Sequence, residues 1–174
     1  NSFIPVNTLN FANKRDLKAS DWPVADFLKG GGDRFFRNNN GKFTDVSQEA
    51  GIHGSLISFG LGVTVGDVNQ DNYPDVYVSN DFLSSDILYI NNGNGTFSDK
   101  THDCLKHTSF ASMGNDVADF NNDGLPDIYT LDMLPEDNYR KKMIIPSAGY
   151  DKFQLLLQKG YEPQYTRNAL QLNN

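Results

Sequence analysis

Apolar and polar residues alternate over Gly62–Asp67 and again over Asp75–Ser79, the two-residue period of strands. Ile87–Asn91 and Thr96–Thr101 read the same way. Between them Asn91–Gly95 is an Asn/Gly turn, a strong short-range hairpin signal. One stretch departs from this period. Tyr150, Phe153, Leu156 and Leu157 recur at helical spacing and Gly160 stops them, which predicts a short amphipathic helix. No apolar run approaches the ~18–20 residues that span a bilayer, so no transmembrane segment is expected.

The pattern itself repeats. Residues 62–78 align without gaps onto 114–130 at an offset of 52. Asp33–Asp45 matches Asp86–Asp99, at an offset of 53 before the turn and 54 after it. Ala169–Asn174 opens a third copy. Four short antiparallel strands in about 50 residues make a propeller blade. The expectation is an all-β fold: a partial β-propeller of about three four-stranded blades, with about nine strands grouped two, four and three. The whole of 1–174 reads as one propeller segment of a larger protein, because three blades cannot close a ring and unpaired edges associate. Its parts are a partial blade at 33–58, a complete blade at 59–107 and a blade at 108–174 interrupted by an insertion at 135–167. Phe82 to Tyr89 spans 7 positions, Phe3 to Phe36 spans 33 and Leu134 to Gln171 spans 37, so insertions of 26 and 30 residues break the period. Both follow a second strand, which in a meander puts residues 4–32 and 135–167 on the face opposite the first turn.

Composition gives that first turn its chemistry. Of 174 residues 19 are Asp, 20 are Asn and only 3 are Glu, with a net charge of −7, a balance that argues against nucleic-acid binding. Asp67, Asn69, Asp71 and Asp75 occupy positions 1, 3, 5 and 9 of one loop. Asp119, Asn121, Asp123 and Asp127 do the same in the next. Position 7, Tyr73 or Leu125, can add a backbone carbonyl. These are hard oxygens suited to Ca2+, so two calcium sites are expected. Zinc would require His or Cys. An EF-hand would require Glu at position 12, where Val78 and Thr130 stand. The competing reading is a turn that caps itself with side-chain hydrogen bonds. Two in-register copies favour the cation, since a turn does not need four oxygens at fixed spacing.

Residues 62–78, 119–127 and 91–97 resemble FG-GAP/VCBS-type repeats, the calcium-loop blades of integrin-α-like propellers. Asp132–Tyr139 and Asn168–Asn174 resemble more narrowly the large VCBS/CRTAC-type, ASPIC/UnbV-associated surface proteins of Bacteroidota. The resemblance implies an extracellular or cell-surface protein, an outer-membrane lipoprotein beside a SusC/SusD-like uptake complex. No Ser/His or metal-protease constellation is present, so the expected function is a non-catalytic calcium-binding scaffold for protein partners. A glycan-binding propeller is the alternative, with Trp22, Tyr150 and Tyr161 stacking on sugars. A hydrolase or lyase on a propeller is the third reading. His102, Cys104 and His107 lack the further ligands of a metal site. Alignment of Cys104 with Ala50 predicts a small buried position, and alignment of His107 with His53 a blade connection.

Overall fold

The computed structural model describes residues 21–22, 24–26, 29, 32–52, 54–81, 84–144 and 150–174. The expectation for residues 4–32, and the role of His53, fall mainly outside that range. Among the described residues the first strands are a hairpin of β1 (Phe36–Asn39) and β2 (Lys42–Asp45). Its two turn residues, Asn40 and Gly41, have φ of 54° and 90°, the pairing whose twist suits adjacent strands. A single helical turn, α1 (Ser47–Ala50), follows. Then β3 (Phe59–Gly66), β4 (Asp75–Asp81), β5 (Ile87–Asn91) and β6 (Phe97–Asp99) form one antiparallel meander. A second helical turn, α2 (Thr101–Cys104), and the short β7 (Thr108–Ser109) lead into β8 (Ser112–Ala118) and β9 (Asp127–Asp132). Two helices, α3 (Asn138–Ile144) and α4 (Tyr150–Gln158), and the short β10 (Gln164–Tyr165) precede β11 (Ala169–Gln171). β11 completes a three-stranded sheet ordered β11-β9-β8, and β10 pairs in parallel with β7.

The fold is therefore all-β, with blade sheets of two, four and three strands among the described residues. The repeat extends to irregularities. A bulge lies between Gly60 and Gly62 on β3 and another between Ser112 and Gly114 on β8, at the same offset of 52. The helix expected at 150–157 is α4, and Gly160 at φ 82° ends it. The helical turns α1 and α2 were not anticipated. Asp45 Oδ1 accepts from the Ser47 amide and hydroxyl at 3.0 and 2.7 Å, and Asp99 Oδ1 does the same for Thr101. These side-chain turns close the fourth strand at Asp99 and start a helix where a strand to Thr101 was expected.

Sheets stack through β4, whose alternate side chains serve opposite neighbours. Val76 and Val78 join Ala50, Ile52, Ile87 and Tyr89 on one face. Tyr77 joins Leu88, Leu105, Ile128 and Val117 on the other. The inner strands β3 and β8 run close enough that a Cβ on Gly62 would lie 3.1 Å from the Gly114 Cα, so a side chain there would press the β8 backbone outward by a few tenths of an ångström. The outer face of the last sheet repeats the buried face of the sheet before it. Phe120, Tyr129, Leu170 and Leu172 stand where Val68, Tyr77, Leu88 and Ile90 stand one repeat earlier. Tyr77 and Leu88 are buried, whereas Leu170 is 46% exposed and Leu172 50%.

Cys104 corrects an expectation. It is exposed, although its counterpart Ala50 is buried. Ala50 packs in a cluster with Val78, Ile87 and Tyr89; one repeat on, those positions are held by Thr130, Ala169 and Gln171.

Candidate functional site

Each Asp-rich loop joins the first and second strands of its sheet, and the two carry the same hydrogen bonds. Asp67 accepts from the amides of Asp71 at 3.0 Å and Asn72 at 2.8 Å. Asp119 accepts from those of Asp123 at 3.1 Å and Gly124 at 2.9 Å. Asn69 and Asn121 each accept from the amide of position 5 and donate to its carboxylate. Asp71 and Asp123 each accept from the amide of position 7, Tyr73 or Leu125, at 2.8 Å. Position 6 takes a left-handed backbone, Asn72 at φ 69° and Gly124 at φ 89°. Position 4 does too, Gln70 at φ 58° and Asn122 at φ 61°, which sequence reasoning missed.

Position 9 anchors the loop. Asp75 and Asp127 are buried although they border an exposed turn. Asp75 accepts from the amides of Val68 at 2.9 Å and Asn91 at 2.8 Å. Asp127 accepts from those of Phe120 at 3.0 Å and Asn173 at 2.9 Å. Asn91 and Asn173 differ by 82, the repeat offset of 52 plus the 30-residue insertion. These two asparagines, Asn91 ending β5 and Asn173 just past β11, were legible only through that arithmetic.

All ten sequence-nominated residues thus lie in the two loops. The nine-residue spacing lets side chains cap the turn and sets several hard oxygens along one loop. Among the described residues no group of three His, Cys, Asp or Glu side chains stands in a metal-holding arrangement; the loop carboxylates accept from loop amides. The donor chemistry nevertheless suits calcium. Each oxygen of Asp67 accepts one hydrogen bond, leaving lone-pair capacity for a cation. Among the described residues no Lys, Arg or His pairs with the three carboxylates of either loop.

The insertion after β9 leaves the other end of the sheet. β9 starts at Asp127 beside the loop and ends at Asp132, paired with Ser112. α3, α4 and β10 depart from that far end. There Trp22, Ile57, Leu156 and Tyr161 form one buried cluster joining residues of both insertions. Trp22 is 1% exposed and Tyr161 4%, so neither ring is free to stack on a sugar; Tyr150 is 75% exposed. His102 pairs with Glu162 at 3.1 Å and His107 packs edge-on against Tyr165, so they do not converge with Cys104.

Also at this end, Asp86 is fully buried. It accepts from the Tyr77 hydroxyl at 2.8 Å and the Asn80 amide at 2.9 Å. Burial pushes its carboxyl up to about 6. Asn168 fills the equivalent place, accepting from the Asp132 amide at 2.8 Å and donating to Tyr129 at 3.2 Å.

The family described as FG-GAP-like repeat matches this chain twice, over residues 24–78 and 67–130. Each match ends on an Asp-rich loop and the strand that follows it. No curated protein matches the chain.

Proposed function

The chain belongs to the FG-GAP-like repeat family, its matches covering 107 of 174 residues at positions 24–130, and from that premise we propose a calcium-stabilised, non-catalytic scaffold for protein partners at the cell surface. FG-GAP repeats with a propeller-like fold suggest an interaction scaffold. The finer reading rests on one observation: two loops with the same hydrogen bonds present the same oxygens and leave three carboxylates each without a cationic partner among the described residues.

Asp67, Asn69, Asp71, Asp75 and the Tyr73 carbonyl would hold one ion. Asp119, Asn121, Asp123, Asp127 and the Leu125 carbonyl would hold the other. Calcium supplies positive charge that relieves carboxylate repulsion and fixes the loop. Asp75 and Asp127 transmit that fixation to the third strand through their bonds to Asn91 and Asn173. Extracellular modules bind calcium at ~10⁻⁴–10⁻³ M, which suits a surface location. The resemblance of 132–139 and 168–174 to Bacteroidota surface proteins supports an outer-membrane lipoprotein with a SusC/SusD-like partner. The insertion face is the contact surface we assign, because its length exceeds what joins two strands.

Asp123→Ala tests the metal. The side chain accepts two hydrogen bonds within the turn, from the Leu125 main-chain amide and the Asn121 side chain. Losing them costs about 1–2 kcal/mol in any buffer. Losing an ion costs a further ~2.7 kcal/mol when calcium is a hundredfold above its dissociation constant. The mutant should melt well below wild type in calcium, with the gap shrinking in chelator. An equal gap in both buffers returns the loops to self-capped turns.

A further inference from the structure

We infer that the two Asp-rich loops are energetically coupled, so that an ion in one changes the affinity of the other. This rests on the calcium reading above and adds the residues that would carry the coupling, Gln70 and Asn173.

The loops belong to different sheets, yet three hydrogen bonds tie their backbones. Gln70, at position 4 of the first loop, donates its Nε2 to the carbonyl of Gly124 at position 6 of the second, at 2.7 Å. Asn173 donates its Nδ2 to the Val68 carbonyl in the first loop at 2.6 Å and to the Pro126 carbonyl in the second at 3.3 Å. Its main-chain amide meanwhile donates to Asp127. Among the described residues the counterpart Asn91 reaches within its own repeat, to Pro74 at 3.0 Å.

The linked positions are those that set ligand geometry. Gly124 gives its amide to Asp119, the position 1 carboxylate, so a pull on its carbonyl moves the same peptide region. Val68 gives its amide to Asp75 at position 9. Gln70 holds a left-handed backbone that L-residues adopt at a cost, and it does so while reaching across to the second loop. An ion that orders the first loop therefore fixes Gln70 and Val68, and through them the main chain at 124 and 126. By linkage the effect is reciprocal.

Calorimetric titration of calcium into the full chain tests this. Asp67→Ala/Asp71→Ala disables the first loop and Asp119→Ala/Asp123→Ala the second. Gln70→Ala/Asn173→Ala removes the ties but no calcium ligand, and leaves the Asn173 main-chain amide on Asp127. Gln70→Asn is the milder variant, since Asn122 already occupies the equivalent left-handed position. Coupling predicts that disabling either loop weakens binding at the other by the same factor, roughly fivefold or more. It also predicts that the tie variants lose that mutual effect. If each surviving loop binds as in the wild type, or the tie variants leave both isotherms unchanged, the loops are independent and the inference is overturned while the calcium reading stands. A titration silent at millimolar calcium overturns the calcium reading and the coupling together.

Discussion

At residue 86 a carboxylate occupies a place that the next repeat gives to an amide. Both side chains accept from a main-chain amide and meet a tyrosine hydroxyl, Asp86 with Tyr77 and Asn168 with Tyr129. A buried carboxylate is disfavoured as an ion, so the Asp86 carboxyl rises to about 6 from 3.8. Because the folded value is the higher one, protonation favours the fold. That contribution is present below about pH 4 and is lost as pH climbs through about 6. Asp86→Asn should therefore gain on wild type as pH rises, by roughly 2 kcal/mol between pH 4 and 7. Denaturant midpoints of the two proteins across that range would show the lines diverging; parallel lines would mean that Asp86 does not titrate there.

Elements inherit their stability from which neighbour covers them. Leu88 on β5 is 3% exposed and sits between two sheets, whereas its counterpart Leu170 on β11 is 46% exposed. Leu88→Ala should cost about 2–4 kcal/mol and Leu170→Ala well under 1. Chemical denaturation of both variants checks the contrast, and equal losses would mean the repeat faces are not differently covered. The elements themselves were largely legible: β5 begins and ends where the alternation of 87–91 does, and α4 covers the 150–157 periodicity. The loop residues were legible because tight turns and oxygen ligands impose fixed spacing. What was hidden depended on atoms distant in sequence. Cys104 is exposed although its repeat counterpart Ala50 is buried. Trp22 and Tyr161 read as sugar platforms until burial placed them in a core. Gln70 stands between Asn69 and Asp71, and nothing local announces its bond to Gly124.

Across the whole molecule, the stacked sheets and the insertion cluster are two separate bodies of packing. Trp22 with Ile57, Leu156 and Tyr161 holds the insertions together at the end remote from the Asp-rich loops. Trp22→Ala opens a cavity worth about 3–5 kcal/mol there. Hydrogen exchange should quicken in α4 while β4 and β5 keep their protection, the signature of local rather than global opening. Exchange that quickens evenly throughout would show one cooperative unit.

The outer face of the β8, β9 and β11 sheet obeys the stacking rule without containing a stop. Phe120, Tyr129, Leu170 and Leu172 copy, one repeat on, a surface that elsewhere receives a neighbouring sheet. In the terms of crystal growth it is an unsaturated lattice plane: each layer is both a product of the previous one and a template for the next. A solenoid-like array needs a polar terminal layer to stay dispersed. This face instead presents Phe120, Leu170 and Leu172 at 45%, 46% and 50% exposure, the template half of such a layer.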